Sequence, residues 1–121
     1  MDIHVLEKNG KRIVAGTPGQ PLLHTVEDAV GVIEACANND TSRVLLYAEN
    51  LTENFFDLSS QEAGAILHKL RTYQVRMAVV YSPEKVKLSS RFGDLMIEEN
   101  RNLYFRLMTE RSQAEDWLFA E

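Results

Sequence analysis

Residues 44 to 48 read Val44-Leu45-Leu46-Tyr47-Ala48, a short apolar run with polar residues on both sides. A run of this length predicts a strand that is buried on both faces, as in the middle of a parallel sheet. The apolar run from Met77 to Tyr81 has the same character and predicts a second interior strand over residues 75–81. These two strands are the centre from which the rest of the fold is inferred.

The N-terminal side of this centre predicts a hairpin. Apolar residues flank Asn9-Gly10, and this dipeptide is the strongest short signal for a tight hairpin turn because both residues accept positive φ. We expect antiparallel strands over residues 2–8 and 11–15, followed by a loop over residues 16–21, which is rich in glycine and proline.

Between the predicted strands, apolar residues recur at helical spacing and predict helices. A first helix begins at Thr25, with Glu27 and Asp28 in its first turn, and ends at residues 38–40. A second begins at Ser59, where Glu62 completes the spacing of a capping box. A third passes through residues 92–96, and a last strand over 103–108 precedes a terminal helix over 109–120.

The resulting order is β-β-α-β-α-β-α-β-α. It predicts one α/β domain over residues 1–121, with a mostly parallel five-stranded sheet, an N-terminal hairpin and four helices. The first strand is the expected antiparallel member. The chain has 121 residues, so a single domain uses nearly all of it.

Composition excludes several classes of function. The net charge is −5 and the isoelectric point is about 5.2, which argues against a nucleic-acid binder. No apolar run approaches the roughly 18 residues of a membrane span. The single cysteine, Cys36, lies in an apolar helical pattern and is expected to be a small buried side chain. We therefore expect a soluble cytoplasmic protein with no membrane or nucleic-acid partner.

Ligands of open α/β sheets favour the loops beyond the carboxyl ends of the strands. Here those loops are residues 16–24, 48–60 and 81–90, joined by residues 109–113. The middle loop is the most unusual because it combines acids, hydroxyls and two adjacent aromatics before a helix. Its candidate partner or ligand residues are Glu49, Asn54, Phe55, Phe56, Asp57, Ser59 and Ser60. The structural alternative is that the two phenylalanines cover the sheet and that Ser59 only caps the helix.

A second polar cluster precedes the last strand and contains Glu98, Asn100 and Arg101. Salt bridges and a helix cap explain it as well as an interaction surface does. His4, His24 and His68 are far apart, and no spacing typical of metal ligands occurs, so we expect no metal and no cofactor.

Two groups of residues form a recognisable combination. The first is Phe55-Phe56-Asp57-Leu58 with Ala63-Gly64 and Tyr73. The second is Glu98-x-Asn100-Arg101 followed by Phe105 and by Trp117-Leu118. Together they resemble the DUF4180 family of small bacterial proteins, whose domain has no known function. The resemblance runs from about Ile3 to Leu118 in the same order.

The element order also resembles the STAS fold of anti-sigma-factor antagonists. In those proteins an Asp-Ser-Ser-Gly turn after the central strand carries a serine whose phosphorylation switches partner binding. The corresponding turn here is Asp57-Leu58-Ser59-Ser60, with Leu58 in place of a serine and the glycine delayed to Gly64. The resemblance implies Ser59 or Ser60 as the phosphoacceptor.

The sequence thus favours a non-enzymatic, STAS-like regulatory or protein-interaction module that binds a protein partner or a second copy of itself as a homodimer. The alternative is a small-molecule-binding protein or small enzyme, with a pocket lined by Glu49, Asn54, Asp57 and Ser60. Both hypotheses use the loops at the carboxyl ends of the strands.

Overall fold

Strands and helices alternate along the chain after an N-terminal hairpin. The computed structural model describes residues 3–23, 25–51, 62–85 and 104–120, with the backbone alone described at 62 and 63. Its elements in chain order are β1 (Ile3–Lys8), β2 (Lys11–Gly16), α1 (Val26–Asn38), β3 (Arg43–Tyr47), a 3-10 turn (Ala48–Asn50), α2 (Glu62–Thr72), β4 (Arg76–Val80), β5 (Phe105–Met108) and α3 (Arg111–Phe119).

The hairpin between β1 and β2 closes at Asn9 and Gly10, which have φ values of 54° and 80°. Lys8 faces Lys11 across this two-residue turn, and the pairing continues to Ile3 opposite Gly16. Positive φ at both turn positions matches the right-handed twist of the strands. The predicted hairpin is therefore confirmed, and β1 is the antiparallel member of the sheet.

The five strands lie in the sheet in chain order, β1-β2-β3-β4-β5. The pairs β2–β3, β3–β4 and β4–β5 are all parallel. Right-handed crossovers that always step in the same direction leave their helices on one face of the sheet. In agreement, α1 contacts α2.

The two faces of the sheet carry two separate apolar clusters. On one face, Val14, Leu46, Met77 and other strand residues pack with α1 and α2. On the other face, α3 packs its buried Ala114 and Leu118 against a smaller set of strand residues, Ile13, Ala15, Leu45 and Ala78. Side chains alternate between the two faces of a strand, so a strand with apolar residues on both faces lies in the interior of the sheet. Residues 44–46 of β3 contribute to both clusters, as the sequence predicts for an interior strand.

The ends of α1 follow from local chemistry. Thr25 is the N-cap residue, and its backbone N–H donates to the Asp28 carboxylate at 3.1 Å. At the other end, the Asn39 side-chain amide donates to the carbonyl of Ala35 at 2.8 Å, and Asp40 takes a left-handed φ of 55°. The predicted bounds of this helix are confirmed.

The α/β class and the five-stranded mostly parallel sheet are thus observed, with three helices in the described part of the chain. The predicted third helix and the capping box at Ser59 lie outside the described residues. The central strand ends at Tyr47, one residue earlier than predicted, because the chain turns at Ala48.

Candidate functional site

The four parallel strands end at Gly16, Tyr47, Val80 and Met108. Since they run in the same direction, these residues mark one end of the sheet, which we call the carboxyl end. The loops after residues 16, 47, 80 and 108 therefore leave the sheet together, as the sequence predicts.

Asn50 is a polar residue buried within this end of the molecule, with only 1% of its surface exposed. Its Oδ1 accepts a hydrogen bond from the backbone N–H of Tyr47 at 2.7 Å. Its Nδ2 donates to the carbonyl of Thr17 at 2.8 Å and to the carbonyl of Gln20 at 2.7 Å. Both side-chain donors and the acceptor are thus satisfied, which a buried amide requires.

The backbone of Asn50 joins the same two loops. Its carbonyl accepts from the N–H groups of Leu22 and Leu23 at 3.0 and 2.8 Å. Leu23 also pairs with Leu51 in a parallel bridge. Through these contacts Asn50 fastens the loop after β2 to the turn after β3. We call this set of contacts the Asn50 clasp.

Gly16 lies directly against the clasp. A Cβ atom at Gly16 would lie 2.6 Å from Oδ1 of Asn50 and 2.9 Å from Cδ2 of Leu46. These distances are shorter than van der Waals contact, so a residue with a side chain would displace Asn50. The end of β2 therefore needs a glycine, because the Asn50 side-chain amide lies so close to it.

Glu49 is the one predicted site residue that the described part of the chain includes. It is exposed at the carboxyl end of the sheet, beside the buried Asn50. The other predicted partner or ligand residues lie outside the described residues: Asn54, Phe55, Phe56, Asp57, Ser59 and Ser60. Glu98, Asn100 and Arg101 lie outside them as well. The pocket predicted for Glu49, Asn54, Asp57 and Ser60 remains a prediction.

An ion pair lies at the start of α3, which follows the carboxyl end of β5. Nε of Arg111 donates to the Glu115 carboxylate at 2.7 Å, one helical turn away. This hydrogen bond raises the pKa of Arg111 above its ordinary value. The pair is exposed and contributes little to stability. Because its pKa is raised, Arg111 remains a permanent cation at this end.

Cys36 is buried on the inner side of α1. Burial disfavours the thiolate and raises the pKa of the thiol to about 11. A nucleophilic cysteine needs the opposite shift. The expectation of a small buried side chain is confirmed.

Within the described ranges, no three histidine, cysteine or acidic residues are grouped in a way that could hold a metal ion. His68 is exposed on α2. None of the helices in the described part of the chain is both long and apolar enough to cross a membrane.

Sequence reasoning missed the role of Asn50. It lies in a loop predicted as polar, and its partners Thr17 and Gln20 are 33 and 30 residues away. A single asparagine immediately after a buried strand is a weak signal, because asparagine is common in any turn.

A family model described as "Domain of unknown function (DUF4180)" matches residues 8–118. The chain belongs to the DUF4180 family. The match covers both the hairpin turn and the terminal helix of this DUF4180 domain. No curated protein and no solved structure matches the chain significantly.

Proposed function

We propose that this DUF4180 domain is a non-enzymatic, STAS-like regulatory module of the bacterial cytoplasm that binds a protein partner through residues 49–60. The observation that carries the proposal is the Asn50 clasp with exposed Glu49 beside it. A segment that leaves a fixed point on a rigid scaffold is suited to recognition. The segment after the clasp begins at such a point.

The chemistry of this segment indicates the nature of the partner. It contains Glu49, Glu53 and Asp57, and Glu62 follows shortly after. Adjacent aromatic residues are frequent anchors of protein interfaces. The partner is therefore expected to present a basic surface with apolar pockets for Phe55 and Phe56.

Phosphorylation of Ser59 or Ser60 would regulate this contact. A phosphate adds a charge of roughly −1.5 to −2. Placed between Asp57 and Glu62, it would repel the neighbouring carboxylates. We expect this repulsion to rearrange the segment and to outweigh the attraction of the added charge to a basic partner, so that the modified protein releases a partner that the unmodified protein holds.

Site-specific photo-crosslinking in the source cell tests the proposal. A photoreactive amino acid replaces Glu49 in one strain and Glu34, which is exposed on α1, in a matched control strain. We expect a discrete crosslinked species from position 49 that position 34 does not give. Equal crosslinking from both positions contradicts a contact at the carboxyl end.

Light scattering of the pure protein at several concentrations distinguishes a second copy from another protein. If the partner is a second copy, the mass doubles as the concentration rises, and Phe55→Ser with Phe56→Ser abolishes the doubling. The alternative, a small-molecule site, would be favoured if a ligand-bound crystal structure showed a pocket lined by Glu49, Asn54, Asp57 and Ser60.

A further inference from the structure

The hairpin turn between β1 and β2 contains Asn9-Gly10, and Asn9 is the only asparagine of the chain that a glycine follows. Both residues are exposed. Among the described residues, no atom beyond the chain neighbours lies within 4 Å of a Cβ atom built on Gly10. The side-chain amide of Asn9 and the backbone N–H of Gly10 are therefore adjacent in the chain and surrounded by open space.

This pair of groups can react with each other within the chain. The backbone nitrogen of Gly10 closes a five-membered ring when it attacks Cγ of Asn9, and such intramolecular attack is favoured by proximity. A side chain on the attacking residue hinders the approach, and glycine has none. The attack also requires the peptide unit between the two residues to rotate, and the open space around Gly10 leaves room for this rotation.

We propose that Asn9 is a site of spontaneous deamidation. Solvent hydroxide takes the N–H proton of Gly10, and the nitrogen forms a bond to Cγ of Asn9. The bond from Cγ to Nδ2 breaks, and Nδ2 takes a proton from water and leaves as ammonia. Water then opens the cyclic imide. Opening at Cγ gives aspartate, opening at the backbone carbonyl gives isoaspartate, and the net change is the gain of water and the loss of ammonia.

The two products have different consequences for the hairpin. Aspartate, like asparagine, accepts the positive φ of 54° at position 9. It also adds a negative charge next to Lys8, which faces Lys11 across the turn, and like charges in this arrangement are destabilising. Isoaspartate adds one atom to the backbone, so a two-residue turn no longer fits the register. We therefore expect the aspartate form to keep the hairpin and the isoaspartate form to lose the pairing nearest the turn.

This site is independent of the proposed partner surface. Glu49 lies at the carboxyl end of the sheet, whereas the turn precedes the first residue of β2, at the opposite end. Deamidation makes the net charge of −5 more negative by one charge. Ion exchange therefore separates the modified protein from the unmodified protein.

Incubation of the full chain in mildly alkaline buffer, followed by peptide mass spectrometry, tests the proposal. Two other asparagines are internal references. The Asn39 amide donates to the carbonyl of Ala35, and the Asn50 amide is buried and donates twice. We expect Asn9 to deamidate at least about tenfold faster than either reference, which corresponds to a modest difference in barrier. Equal rates at the three positions, or an unmodified Asn9, overturn the proposal.

Substitutions assign the reaction to the ring closure. Gly10→Ala places a methyl group beside the attacking nitrogen, and Asn9→Gln lengthens the side chain so that a less favourable six-membered ring would form. Each is expected to slow deamidation at position 9 about tenfold or more. Gly19→Ala is the matched control for Gly10→Ala, because Gly19 also has a positive φ, 83°, and open space around its Cβ position. It should leave the rate at Asn9 unchanged.

Circular dichroism verifies the fold of each variant, and Asn9→Gln keeps the test valid if alanine at a φ of 80° disturbs the turn. Wild-type rates in both Gly10→Ala and Asn9→Gln, or equal slowing in Gly10→Ala and Gly19→Ala, overturn the proposal.

Discussion

The two ends of the sheet differ in how far their polar side chains are buried. At the carboxyl end, a neutral amide, Asn50, is almost completely buried and every bond it needs comes from the chain itself. At the opposite end, where β3, β4 and β5 begin, Arg76 and Arg106 contact the ring of Trp117, and all three side chains remain partly exposed. The first arrangement is complete without a ligand and serves the fold. The second holds charged groups against an aromatic ring at a surface that solvent reaches.

Removal of the clasp should have the largest effect on stability. Asn50→Ala leaves the N–H of Tyr47 and the carbonyls of Thr17 and Gln20 without their buried partner. We expect a loss of about 3 to 4 kcal/mol in the free energy of unfolding, from unsatisfied groups that cost about 1 to 3 kcal/mol each. Urea denaturation measures this loss.

Asn39→Ala is the matched control for that prediction. Its side-chain amide donates one hydrogen bond, to Ala35, and the residue is only partly buried. We expect a loss of about 1 kcal/mol. The clasp would lose its structural role if Asn50→Ala cost no more than Asn39→Ala.

A side chain at Gly16 should also disturb the Asn50 clasp, because it would displace the Asn50 side chain. Gly16→Ala places a Cβ atom 2.6 Å from Oδ1 of Asn50, and overpacking of this kind costs about 2 to 3 kcal/mol. Gly64→Ala is the control, because no described atom beyond its own helical neighbours lies within 4 Å of the added Cβ, and alanine favours a helix. Thermal unfolding should show a lower midpoint for Gly16→Ala and an unchanged or higher one for Gly64→Ala. The reverse order would contradict the close packing at Gly16.

Cys36 predicts how stability depends on pH. The thiol pKa is raised from 9.0 to about 11 in the folded protein, so the unfolded chain loses its proton first. Stability is therefore fully present below pH 9.0 and falls as pH rises toward about 11. The full loss is about 3 kcal/mol, at about 1.36 kcal/mol for each unit of pKa.

Other groups also titrate in this range, so the measurement is the difference between the wild type and Cys36→Ala. Urea denaturation at several pH values should show a smaller alkaline loss in the variant. Parallel pH profiles for the two proteins would mean that the thiol is not desolvated.

Charge reversal at Glu49 should have the smallest effect on stability. The residue is exposed although its neighbour Asn50 is buried. We expect Glu49→Lys to change the free energy of unfolding by less than about 0.5 kcal/mol, as for most surface substitutions. Glu34→Lys on α1 is the control, and the two variants should unfold at the same urea concentration. A loss close to that of Asn50→Ala would assign Glu49 to the clasp instead of to a contact surface.

Local chemistry accounts for what the sequence predicts correctly. Asn9-Gly10 closes the hairpin because both residues accept positive φ, and the run from Val44 to Ala48 is buried because it is apolar on both faces of the strand. Alternation of strands with helices then implies a parallel sheet. These features depend on neighbours in sequence, so they can be inferred without coordinates.

Long-range register accounts for what the sequence does not reveal. Arg43, Arg76 and Arg106 are about thirty residues apart, and only the pairing of β3, β4 and β5 brings them together. The Asn50 clasp likewise joins residues more than twenty-five positions apart. The composition of the segment after Leu51 is enough to select it as a candidate. The contacts of Asn50 that hold the start of this segment are visible only in the structure.

Amide hydrogen exchange of the full chain, followed by NMR in the wild type and in Asn50→Ala, tests the role of the clasp most directly. The backbone N–H groups of Leu22, Leu23 and Tyr47 report the clasp, and those of Arg76 and Met77 report the opposite end of the sheet, where β3, β4 and β5 begin. The account predicts faster exchange in Asn50→Ala at Leu22, Leu23 and Tyr47, with exchange at Arg76 and Met77 unchanged. Equal acceleration at both sets of signals, or no acceleration at the clasp signals, would contradict it.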